Sequence, residues 1–182
     1  PRIEVNPPRI TLPSEVQSWL QQHPRIDVGV WGISQPPISF GLERGLLTGI
    51  DADYLSLIES TLNVNFQLHY FTTRDEALEA LNQGAIIMLA VWRPALEKCH
   101  HIQAALPWLR DHAVVVHSSE TPQQEGESSL LSIMQGRRLD WDPNGPSPAV
   151  FQDYYHAISS VAIGQTPAVT INHSTASYLT RD

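Results

Sequence analysis

Alternating apolar residues and stretches with a helical repeat succeed one another along most of the chain. Residues 1–11 hold three prolines and read as an extended lead-in. Ser14 is placed as the N-cap of a short helix, with Glu15 in its first turn and Val16, Trp19 and Leu20 on one face; Pro24 ends it. Arg25–Trp31 (RIDVGVW) alternates as a strand does. Gly32–Pro37 is a loop, Ile38–Phe40 a short apolar piece, and Gly41–Gly49 (GLERGLLTG), with three glycines, a hairpin-like connection. Ile50, Tyr54, Leu57, Ile58 and Leu62 recur at helical spacing and predict a helix over 50–62. Val64–Tyr70 alternates as a strand, and Thr73–Asn82 reads as an amphipathic helix capped by Thr73 and stopped near Gly84. Ala85–Val91 (AIIMLAV) is continuously apolar, which predicts a strand buried on both faces.

Helices and strands in this alternation imply right-handed βαβ units around a parallel sheet. Further on, Ala113–His117 (AVVVH) reads as a strand and Ser118–Ser129 as a polar surface loop. Trp141–Pro148 (WDPNGPSP) is dense in turn formers, Val150–Ile163 predicts a helix ending at Gly164, and Ala168–Asn172 (AVTIN) one more strand. No internal repeat or low-complexity tract interrupts this order.

Length narrows the architecture: 182 residues suffice for one large domain or two lobes. With 11 Lys+Arg against 19 Asp+Glu, the net charge is −8. Such a surface repels phosphate backbones, so nucleic acid and anionic membranes are excluded as partners. Cys99 is the one cysteine and cannot form an internal disulfide, which fits a reducing compartment or a periplasmic protein without disulfides. No apolar run is long enough to span a membrane. The first residues carry no charged and apolar leader pattern, so any signal peptide is expected to be absent from this stretch.

The order of segments resembles the start of a solute-binding protein of family 3: a helix ending in proline, RIDVGVW, PPISF, a glycine turn, then GIDADYLSLI. NQGAIIMLAV, ALPWL and AVTINHSTASYL are similar to later landmarks of that family. The lead-in LPSEVQSWLQQHPRIDVGV resembles the opening of periplasmic flytrap domains in BvgS/EvgS-type hybrid sensor histidine kinases. The resemblance implies an α/β, bilobed, periplasmic-binding-protein type II (Venus flytrap) fold, with parallel-sheet lobes and flanking helices. It places the lead-in at 1–11, lobe one at 12–111, a shortened lobe two at 112–173 and a return towards lobe one at 174–182. Hinge crossings fall near His112–His117 and Val169–Ser174, and the C-terminal part of lobe one is expected to be missing.

In amino-acid binders of this family an arginine after the buried strand clamps the ligand carboxylate, a bidentate fit that lysine cannot reproduce. The resemblance puts the clamp's threonine and arginine positions on Ala95 and Lys98, and the acid that holds the ligand ammonium on Asn172. A site so altered is not expected to hold an α-amino acid tightly. Trp31 and Phe40 after the first strand, and Trp92 and Arg93 after the buried strand, occupy the strand edge where open α/β sheets bind ligands. Trp92 and Arg93 either replace the lost clamp with a stacking surface and a guanidinium, or the tryptophans fill the gap between lobes and Arg93 pairs with a surface acid. WDPNGPSP either presents backbone N–H groups to an anion or is a plain turn, since its prolines remove donors.

Adjacent Cys99, His100 and His101 point in different directions, and His112 and His117 are too far apart along a strand, so no metal site is expected. Asp51 and Asp53, two apart on a helix, diverge by about 200° and are assigned to the helix start rather than to a catalytic pair. No GxSxG, HExxH or phosphate loop is present. The domain is therefore read as non-catalytic and without cofactor. The resemblance implies a periplasmic sensor domain of a two-component histidine kinase, held in the inner membrane by a helix outside this chain. Its partners would be a small organic solute or none, and a neighbouring flytrap domain or dimer partner. The alternatives are a solute-binding receptor of an ABC transporter for a small polar solute, and a flytrap fused to a peptidoglycan-cleaving domain.

Overall fold

The computed structural model describes residues 8–32, 34–90, 102–103, 105–119, 133–134 and 150–181. Contacts divide the chain into a first unit, Pro1–Gly32 with Ser39–Ala104, and a second, Ile33–Ile38 with Ala105–Asp182.

In the first unit, α1 (Ser14–Gln22), β1 (Arg25–Trp31), α2 (Ile50–Leu62), β2 (Asn65–Phe71), α3 (Arg74–Asn82) and β3 (Met88–Ala90) follow one another. The strands form a parallel sheet in the order β2-β1-β3, as the βαβ alternation requires. β1 is central: Ile26, Val28 and Val30 are buried, and all seven residues pair with β2, Arg25 opposite Asn65 through Trp31 opposite Phe71. A Cβ at Gly29 would strike the Ile86 side chain and lie 2.7 Å from Leu89 Cδ2. The missing side chain at Gly29 is what lets those two residues pack across the strand.

Three expectations change here. The inward face of α2 keeps the expected Leu57, Ile58 and Leu62, all half-buried, but Ile50 and Tyr54 are exposed, and Asp51 and Leu55 are the buried residues. The residues 51/55/58/62 are helical in spacing but begin with a carboxylate, so a count of apolar residues alone starts the inward face at Ile50 instead of Asp51. At α1 the N-cap position belongs to Pro13, Ser14 is the first helical residue, and no side chain caps the end. The stripe of α1 is open, with Val16 and Trp19 exposed and Trp19 stacked on His23 at 4.3 Å. β3 is shorter than the run Ala85–Val91, and its residues are half-buried rather than covered on both faces, with Ile87 exposed. Among the described residues β3 pairs only with β1. By contrast α3 starts as expected, in a reciprocal capping box: Glu76 N–H donates to Thr73 Oγ1 at 3.3 Å and Thr73 N–H to Glu76 Oε2 at 3.1 Å.

The second unit holds β4 (Ala113–His117), β5 (Ile133–Met134), β6 (Val150–Phe151), α4 (Tyr154–Ala162), β7 (Ala168–Asn172) and α5 (His173–Leu179). β4 and β7 pair antiparallel, Ala113 opposite Asn172 and His117 opposite Ala168. Val169 and Ile171 of β7 pack with Tyr154, Ala157 and Val161 of α4 and Ala176 of α5 to form this unit's own core. The helix expected over 150–163 is shorter. Asp153 caps it, accepting from His156 N–H at 2.8 Å, and so frees Val150–Phe151 to pair in parallel with β5. Trp141–Pro148 and the greater part of the loop Ser118–Ser129 lie outside the described residues.

The hairpin-like connection is present as Phe40 bridging Thr48, with N–H···O distances of 3.1 and 3.0 Å. Gly41 turns the chain there at φ 82°, and a Cβ on it would lie 2.6 Å from the Leu46 carbonyl oxygen. Gly41→Ala combines a left-handed backbone with a collision against main chain. It should lower unfolding stability by about 1–3 kcal/mol, measured by urea denaturation.

Candidate functional site

The C-terminal ends of parallel strands are where open α/β sheets receive ligands, and one predicted residue ends such a strand in the first unit. Trp31 is the last residue of β1, half-buried and held in register opposite Phe71. Phe40 is half-buried and fixed by its bridge to Thr48, whose hydroxyl also donates to the Phe40 carbonyl at 3.0 Å. Nearby chain is pinned from β2, where the Tyr70 hydroxyl accepts from Leu47 N–H at 2.9 Å. Both aromatics are thus set by backbone rather than by side-chain packing alone.

Asn172 belongs to the second unit, as the last residue of β7 and the residue before α5, half-buried and opposite Ala113. Trp92, Arg93 and Lys98, with Ala95 between them and Cys99, His100 and His101 after them, lie outside the described residues. Trp31 and Phe40 therefore share a unit.

Beside the Phe40 segment sits a group that periodicity overlooks. Asp51 is only 5% exposed and stands in the first turn of α2, while Asp53 faces solvent, so the two carboxylates diverge as their spacing requires. Burial raises the Asp51 pKa from 3.8 to about 6. The buried Ser39 hydroxyl pulls the other way. The clue in the sequence is positional: Asp51 shares the 51/55/58/62 stripe with the core residue Leu55.

No protein-family model matches the chain. The chain is 23% identical over 185 residues to the virulence sensor protein BvgS of Bordetella bronchiseptica, covering 93% of this chain and 14% of that protein. Against BvgS of Bordetella pertussis it is 27% identical over 109 residues, 59% of this chain and 9% of the relative. The crystal structure of the B. pertussis BvgS periplasmic domain superposes with a TM-score of 0.70 at 21% identity, over 98% of this chain and 36% of that one. An ancestral cationic amino acid solute-binding protein superposes with a TM-score of 0.65 at 15% identity, over 91% and 77% of the two chains.

The fold is that of a Venus flytrap. The flytrap chain spans a small part of the curated relatives it matches, at most 14% of their length, and these relatives' solved counterparts are periplasmic domains. Among the described residues of the flytrap no helix is long and apolar enough to cross a membrane.

The Asp51 carboxyl makes the flytrap's first unit pH-sensitive in a direction opposite to that of a salt-bridged acid. Its pKa in the fold, about 6, lies above 3.8, so the folded state binds the proton more tightly and ionisation costs stability. That cost is absent below about pH 4, grows between 4 and 6, and is complete above 6. Asp51→Asn removes it, less the attraction of a charge for the helix start. The variant should be more stable than the parent by about 1–2 kcal/mol at pH 7–8, with the difference closing by pH 4 in parallel urea titrations.

Proposed function

We propose that this chain is a periplasmic flytrap sensor domain of a two-component histidine kinase. The observation that supports this most is the match to BvgS along 93% of the chain, together with the TM-score of 0.70 against the BvgS periplasmic domain. In this reading the domain is non-catalytic, lies in the periplasm, and belongs to an inner-membrane protein whose anchoring helix is outside this chain. Residues 12–111 supply lobe one and 112–173 lobe two, with 174–182 beginning the return; α5, which fills most of that return, packs on β4 and β7. A ligand shifts the balance between open and closed lobes only through its differential affinity for the two.

Trp31 and Phe40 are proposed to line the ligand edge of lobe one, with Trp92 and Arg93 beside them. Ala95, Lys98 and Asn172 stand where amino-acid binders place the carboxylate clamp and the ammonium-binding acid. Without a guanidinium fork and a counter-acid an α-amino acid leaves its own charges poorly paired on desolvation. The solute is then a small polar molecule other than an α-amino acid, or the domain relays conformation from a neighbouring flytrap domain or dimer partner. A receptor for an ABC transporter is the second reading, favoured by the superposition on a solute-binding protein of which 77% is covered.

Two measurements test this. In membranes carrying the full-length gene product, disruption of this domain should change phosphotransfer to a response regulator and leave solute uptake intact. Lost uptake with unchanged phosphotransfer would establish the transport receptor instead. In a thermal-shift screen of the purified chain, α-amino acids should produce no rise in melting temperature. A true ligand at a hundredfold excess over its Kd adds about 2.7 kcal/mol, so a clear shift with an amino acid would overturn the assignment of Ala95, Lys98 and Asn172.

A further inference from the structure

The antiparallel ribbon of the second unit does something the linear sequence conceals. Because Ala113 lies opposite Asn172, the residues just before β4 and just after β7 meet at one end of the ribbon. There the His112 and His173 rings stack with centroids 4.7 Å apart and planes inclined by 17°. His173 N–H donates to the His112 carbonyl at 2.8 Å, which ties the two backbones together. Asp111 completes the group: one ligand atom from each of Asp111, His112 and His173 lies within 4.8 Å of the others.

We propose that Asp111, His112 and His173 form a binding site for a divalent first-row transition ion, of which zinc is the natural probe. Two imidazoles and one carboxylate suit zinc, copper or nickel rather than magnesium or calcium, which prefer oxygen ligands throughout. Three protein ligands leave a position for water or for a group from elsewhere. The carboxylate is already oriented: its Oδ1 accepts from His112 N–H at 2.9 Å, and both oxygens lie 3.4 Å from Ser174 N. Those contacts leave lone pairs on the carboxylate for an ion. Ser177 Oγ lies 3.4 Å from His173 Nε2, where it steadies that ring from outside the ligand set.

The donors are pre-assembled but not yet at bonding distance. Zinc bonds of about 2.0–2.1 Å imply ligand atoms roughly 3.3 Å apart in a tetrahedral site. The approach from 4.8 Å or less is made by side-chain rotation, and both histidines are solvent-exposed and free of tight packing. Ring stacking and the bonds to Asp111 hold the group together before an ion arrives. Sequence spacing sets His112 only against His117, which is too far away; the partner that matters is His173, brought in by strand pairing.

The purified chain, stripped with EDTA and dialysed, is titrated with Zn²⁺ by calorimetry while its histidine ring resonances are followed by NMR. One ion should bind per chain, moving the His112 and His173 ring signals together. Affinity should fall about tenfold or more in His112→Ala and in His173→Ala, since even changes outside the ligand set cost that much. A combined Cys99→Ser, His100→Ala and His101→Ala variant removes three further candidate donors of the sequence and should bind as the parent does. Absence of stoichiometric binding would overturn the proposal. So would binding that disappears with Cys99, His100 and His101 while the His112 and His173 signals stay still. The NMR readout on the unmodified chain holds whether or not the variants fold.

Discussion

The first unit depends on the burial of β1 between two parallel neighbours. Val28 and Val30 are at most 1% exposed, and Ile26 is buried beside them. Each such side chain contributes about 1.5–3 kcal/mol when fully withdrawn from water. That strand sets the register of all seven residue pairs with β2, gives β3 its partner, and offers α2 the apolar surface on which Leu55 packs with Val30, Leu42 and Leu47. Trp31 gains its position from the same constraint, as the next residue along a strand that has no freedom to slide: a one-residue slip would turn Val28 and Val30 out of the core.

The second unit solves its burial differently. It has an antiparallel ribbon, β4 with β7; β7 buries Val169 and Ile171 against α4 and α5, and β4 lays half-buried Val114 and Val116 against the same core. Beside that core the buried Ser160 and Thr166 hydroxyls pair at 2.6 Å at the turn from α4 towards β7. Each unit therefore carries its own core, the condition for two lobes to move as bodies rather than deform internally.

Much of the fold was legible in the chain. The bounds of α2, β1, β4 and β7 follow from alternation or helical repeat, and Thr73 with Glu76 announces α3 through capping chemistry. Errors came where one residue's chemistry overrode its neighbours' pattern: Pro13 before Ser14, Asp153 cutting α4 short, and Asp51 hiding an inward stripe. That Trp31 ends β1 was also legible, because it needs only the end of the alternating run.

By itself the sequence determined the local elements, their parallel βαβ order and the resemblance to flytrap sensors, since all three rest on neighbours within a few turns of chain. Tertiary structure alone decided that a carboxylate, Asp51, is enclosed in the first unit, and that Asp111, His112 and His173 converge across some sixty residues. The reason is physical: enclosure and convergence are properties of how strands and helices meet, and no period along the chain records which distant residue a strand end will face.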